Sequence, residues 1–180
     1  MESKGCRKVK KKGQDHQISL HLAGQNQQHD LLYLKPFELP KSEDLMNETE
    51  TYRGVIYPWH CDFNDHMNVQ HYIGRFDEAT WHYLASIGIS PSYLKTENRA
   101  MVAAEQNIKY FEELHAGDLI FVQTSLMELK SKTIIFLHKM INAETGHVVA
   151  EGRMVGVHID KKTRSAIAFP EEVSKKISTL

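Results

Sequence analysis

The chain has 180 residues, 41% of them hydrophobic, with a formal net charge of −1. That suffices to bury one good core, and the near-neutral balance carries no global signal for nucleic acid or an anionic surface. No apolar run suits a membrane span or secretory signal, and Cys6 and Cys61 fit no disulfide or metal spacing, so a reducing, cytoplasmic setting is expected.

Residues 1–45 read as an extension. Lys4, Arg7, Lys8, Lys10, Lys11 and Lys12 form a basic cluster, and a Gln/His/Asn-rich segment runs from Gln14 to His29. Neither a helical nor a strand period persists there, so a disordered arm is expected in preference to a nucleic-acid-binding one. Met46 then stands at the start of a compact domain, residues 46–180.

Tyr52, Val55, Ile56 and Tyr57 predict a strand that stops at Pro58, which cannot donate to a ladder, with the small Cys61 close behind. Residues 59–68 crowd Asp, Asn and His into a stretch suited to tight turns. Asn68 occupies a helix N-cap position, because Val69, Tyr72, Ile73, Phe76, Tyr83, Leu84 and Ile87 then recur on one helical face up to Gly88. The amides that open such a helix favour developing negative charge, which suits chemistry on a carbonyl.

Ser90-Pro91 starts a short second helix. Strands are predicted over 101–111, 119–126, 133–141 and 147–160, with turns at 116–118, 131–132 and 144–146, and Pro170 opens a C-terminal helix. Short turns imply antiparallel pairing, hence an α+β domain in which a curved antiparallel sheet of about five strands wraps one long helix. Its open edges and uncovered outer face call for a homodimer or homotetramer.

Asp62-Phe63-Asn64-Asp65-His66-Met67-Asn68, followed by Tyr72, resembles the Asp-x-x-Gly-His-x-Asn signature and helix aromatic of the hot-dog fold, in particular the 4-hydroxybenzoyl-CoA and acyl-CoA thioesterase family. The similarity spans roughly residues 51–173, with Gly117-Asp118 as a weaker shared turn. Asp65 stands where the family often has glycine; Asp tolerates positive φ, and its charge is expected to raise the proton affinity of Asp62. The resemblance implies hydrolysis of an acyl-CoA to coenzyme A and a carboxylic acid with no metal; no cofactor is expected, and the near-neutral composition leads to the expectation of no nucleic-acid and no membrane partner. Sites would lie between subunits.

On that resemblance Asp62 is the general base or nucleophile, and amides near Asn68, Val69 and Gln70 receive the oxyanion. His66 braces the loop or contacts the thioester, Tyr72 lines the core or pocket, and Glu105 is a strand acid weighed against an ordinary solvated carboxylate. Two other functions stay open: an acyl-carrier-protein thioesterase and a non-catalytic acyl-CoA-binding module, with Asp62 favouring catalysis. His60, Asp62, His66 and His71 lack a recognised metal spacing. Trp59, Phe63, Trp81 and Tyr83 are weighed as a cage for a quaternary ammonium against core or interface aromatics. Lys130, Lys132, Lys139, Arg153, Lys161, Lys162 and Arg164 are weighed as phosphate ligands against solvated charges.

Overall fold

The computed structural model describes residues 46–177, so the expectations for 1–45 lie outside it. Among the described residues five strands form one antiparallel sheet: β1 (Met46–Val55), β2 (Arg99–Tyr110), β3 (Leu119–Leu129), β4 (Thr133–Asn142) and β5 (Val148–Asp160). Helix α1 (Val69–Ser86) is the long one, with α2 (Pro91–Thr96) and α3 (Glu171–Ile177) much shorter. A curved sheet around one long helix is the α+β hot-dog architecture.

The strand order is β1-β3-β4-β5-β2. Only the β3–β4 and β4–β5 connections are hairpins. β2 pairs with β5 instead of folding back on β3, so the expectation of simple consecutive pairing does not extend to that link. Residues 111–118 make that longer link, and among them Leu114 is fully buried while its C=O accepts from the Met67 N–H. β1 and β2 are left as the two edges.

Helix α1 begins where its cap predicts, with the Gln70 N–H donating to Asn68 Oδ1 at 3.1 Å. It stops before Gly88, which takes φ +99°. Tyr72, Phe76, Ala79, Tyr83 and Leu84 are its buried face. Val69 and Ile73, expected on that face, are 57% and 40% exposed. They lie on a flank that the sheet does not cover, because the buried stripe is centred on Phe76 and Tyr83. Phe76 comes close to β5, where a Cβ on Gly152 would lie 3.1 Å from its ring.

A polar cluster centred on a buried ring fixes the middle of α1 to the sheet. Fully buried His138 on β4 stacks on Phe76 with ring centroids 5.4 Å apart. The Thr80 hydroxyl donates to Phe76 O at 2.8 Å, so at 2.9 Å it accepts from His138 Nε2. That tautomer leaves Nδ1 to accept from Thr124 Oγ1 at 2.7 Å, and Thr124 in turn accepts from Thr51 at 2.7 Å. Every hydroxyl and ring nitrogen is satisfied with the ring neutral, and burial pushes the pKa of His138 down to about 3.

Candidate active site

The loop before α1 closes as a small hairpin. Cys61 and Met67 form an isolated bridge, the Asp62 N–H donates to His66 O at 3.1 Å, and the Asp65 N–H donates to Asp62 O at 3.0 Å. Asp65 takes φ 63°, the left-handed conformation that a glycine there adopts freely and that Asp tolerates.

Asn68 has two tasks. Its Oδ1 caps α1, and its Nδ2–H donates to Asp62 Oδ2 at 2.9 Å. The Asn64 N–H donates to Asp62 Oδ1 at 2.9 Å. The Asn64 and Asn68 hydrogen bonds hold the Asp62 carboxyl below the usual carboxylate range. The expectation that Asp65 raises the proton affinity of Asp62 is therefore corrected: donors to both oxygens outweigh any repulsion from an exposed neighbour that points out of a left-handed turn.

The three amides expected to face an oxyanion are not equivalent. The Asn68 N–H donates to His60 O at 2.9 Å and the Gln70 N–H to the cap. Val69, the first residue of α1, is the one whose amide remains for a bound carbonyl.

A second loop braces the first. The Met67 N–H donates to Leu114 O at 2.7 Å, and His115 Nδ1–H donates to Asp65 O at 2.9 Å. His66 reaches the same loop, its Nε2 lying 3.9 Å from Glu113 Oε1. Together the loops enclose an open groove of about 310 Å³, lined by His66, Val69, Tyr72, Tyr110, Phe111 and Glu113 among others. Asp62 is tied to this groove through Asn68, the residue before Val69. Tyr72 is buried, packs edge-on against Tyr110 at 5.0 Å, and burial pushes its pKa up to about 12.

Asp62, His66, Asn68, Val69, Gln70 and Tyr72 thus share one end of α1. Glu105 does not join them. Its carboxylate accepts from Arg153 at 2.7 Å on the outer face of the sheet, opposite the face on which Gly152 meets Phe76. Leu114, His115 and Tyr110 are the contributors that sequence reasoning missed; the lone apolar Leu114 in a polar stretch was the available signal.

Several weighed alternatives are placed elsewhere. Burial and the Arg75 guanidinium hold His60 below its ordinary value, with Arg75 Nη2 3.0 Å from Nε2. Trp59 stacks on Tyr57 at 4.5 Å while Tyr83 packs in the core against Phe136, so the four aromatics do not converge as a cage. Lys130, Lys139 and Arg153 pair with Glu128, Glu48 and Glu105. Among the described residues no helix is long and apolar enough to cross a membrane.

Residues 56–177 match the family model described as the thioesterase-like superfamily. The chain is 29% identical over 122 residues to the long-chain acyl-CoA thioesterase FadM of Escherichia coli, covering 68% of this chain and 92% of that one. It is 28% identical over 119 residues to an Agrobacterium fabrum L-carnitine dehydrogenase/betainyl-CoA thioesterase, covering 66% of this chain. There it spans only 24% of the relative's length. In structure it is similar to Staphylococcus aureus SAV2348, solved in complex with CoA, with a TM-score of 0.69, 21% identity, and coverage of 74% of this chain and 85% of that one.

Proposed function

Since this chain belongs to the thioesterase-like superfamily, we propose that it hydrolyses acyl-CoA thioesters, with Asp62 as the anionic catalyst and the Val69 N–H as an oxyanion donor. The observation that carries the reading is the double role of Asn68. One side chain caps the helix, which aims the first amide, and also holds the carboxylate, so base and electrophilic donor are positioned relative to each other. An Asp62 kept below the usual carboxylate range is ionised throughout the neutral region, as either role requires.

In the reaction the water oxygen, deprotonated by Asp62, or the Asp62 carboxylate itself, adds to the thioester carbonyl. The oxyanion collapses, the C–S bond breaks and the thiolate of coenzyme A takes up a proton. If Asp62 attacks directly, a water then hydrolyses the mixed anhydride. Net products are the carboxylic acid and free coenzyme A. His66 braces the groove and Tyr72 forms its wall.

The reading includes a homodimer. β2 presents an unpaired edge of twelve residues beside the exposed Val69, Ile73 and Trp81 of α1, and pairing two such edges would bring α1 of each copy to a shared site. The reducing, cytoplasmic setting expected from the cysteines belongs to the same reading. A panel of acyl-CoAs with free-thiol release as readout tests it, and light scattering tests the assembly. Thiol release from acyl-CoA supports the proposal. Release only from acyl-carrier-protein thioesters would move the substrate, and no turnover with tight binding of a non-hydrolysable analogue would make the protein a binding module.

A further inference from the structure

The turn at residues 115–118 is fastened both to itself and to the core. The His115 N–H donates to Asp118 Oδ2 at 2.7 Å, and the Asp118 N–H returns to His115 O at 3.1 Å. Two more bonds tie the turn to the residue that follows β1. The Ile56 N–H donates to Asp118 O at 2.9 Å and the Gly117 N–H donates to Ile56 O at 2.8 Å. Ile56 is buried, so the turn stands on the core although its own residues are largely exposed.

From that footing one side chain crosses to the Asp62 hairpin, fifty residues away in the chain. A carbonyl oxygen only accepts, so at 2.9 Å from Asp65 O the Nδ1 of His115 carries the proton. The charged ring also has that proton, so the bond outlasts protonation of Nε2. Asp65 is the left-handed residue whose N–H closes the hairpin on Asp62 O. Holding its C=O therefore holds the apex of the hairpin, while the Met67 N–H to Leu114 O bond holds the limb that leads into α1. Packing cannot do this work at the apex, because Phe63, Asn64 and Asp65 are all exposed.

His115 itself does not line the groove, whose wall on this loop ends at Glu113. Any effect it has on a bound thioester passes through the hairpin.

We propose that His115 is a positioning residue for Asp62: it holds the hairpin apex so that the carboxylate stays against Asn68, facing a carbonyl at the Val69 N–H. The inference rests on the thioesterase reading, and its test keeps the two apart. His115→Ala and His115→Asn are compared with the parent on the best acyl-CoA. Asn can place an N–H near the position of the imidazole Nδ1–H, and Ala cannot. In His115→Ala kcat falls about tenfold while KM stays within about twofold, because the groove is untouched and a displaced carboxylate costs turnover. His115→Asn recovers most of that loss. Placed on Asp62→Asn, His115→Ala costs less than about twofold more, since no carboxylate remains to be positioned. An unchanged kcat in H115A, a rise in KM alone, no recovery in H115N, or an equal fall in both backgrounds overturns the assignment. If no acyl-CoA is hydrolysed, the thioesterase reading fails by itself, and hydrogen exchange then decides the brace. The Asp62 and Asp65 amides should exchange about fivefold faster in H115A, the scale of one lost hydrogen bond, with those of β4 unchanged. Unchanged exchange in the hairpin, or faster exchange throughout the sheet, refutes it.

Discussion

Two polar clusters touch α1, and they differ in what they leave undone. Around His138 every donor and acceptor has a partner, three other elements contribute, and the ring itself is fully buried. Around Asp62 the hydrogen bonds are slightly longer, at 2.9 Å, and the carboxylate keeps lone pairs to spare, Val69 keeps its amide, and Phe63 beside them is 94% exposed. A closed network in a low dielectric fixes geometry and resists change of charge. An open one, held rigid from below, has valences left for a substrate. The first makes α1 a fixed post, and the second uses the end of that post.

The sharpest way to break this contrast is Asp62→Asn. Asn retains the turn-forming oxygen and the size but not the charge, so folding should be nearly unchanged by thermal melting. Turnover of the best acyl-CoA should fall about a hundredfold or more, the scale of a lost general base or nucleophile. Near-normal turnover in D62N would remove Asp62 from the proposal. His138→Ala should do the reverse. It leaves a cavity under α1 and takes partners from Thr80 and Thr124, at a cost of about 3 kcal/mol in chemical denaturation. A loss below about 1 kcal/mol would mean that the cluster does not anchor the helix.

A smaller effect comes from pH. The folded pKa of His138 is about 3, far below the ordinary histidine value, because the charged ring cannot be solvated. The unfolded chain therefore binds a proton that the folded one refuses, and stability falls as pH drops below about 6.5. Each such group contributes up to about 1.4 kcal/mol per pH unit in that window. His60 and His158 are also held low, chiefly by burial, so they steepen the same limb. His138→Gln should remove one proton's share of the slope between about pH 6.5 and 4.5, above the range where carboxylates titrate. An unchanged slope in H138Q would show that the ring is not the refusing group.

The contrast also separates what the sequence could express. The Asp62 loop was legible because its determinants are local: a cap residue followed by helical periodicity, and turn-forming residues within a few positions. The hot-dog assignment followed from the same stretch. The His138 cluster was invisible, since Thr51, Thr80, Thr124 and His138 come from four elements and meet only once register is set. The direction of Glu105 could not be read for a related reason: the register of β2 on β5 shifts between Ala103 and Glu105, and such an irregularity changes which face a side chain joins. Leu114 and His115 were missed because no local pattern says which two loops will meet.

Asp65 gives the finest test, because it belongs to the open cluster through its backbone alone. Its N–H and C=O hold Asp62 and His115, while its side chain is exposed on a left-handed residue. Asp65→Gly should leave stability within about 0.5 kcal/mol, as relief at positive φ offsets added chain entropy. Asp65→Ala, with a Cβ and no polar group, should cost about 1 kcal/mol. The charge question is then read from the acid limb of kcat/KM. Donors to both oxygens, not Asp65, dominate the proton affinity of Asp62, so that limb should coincide in the parent and in D65G. A limb displaced to lower pH in D65G would restore like-charge repulsion as the controlling term. Coincident limbs with a destabilised D65A leave Asp65 one task, which is to turn the chain so that Asp62 meets Asn68.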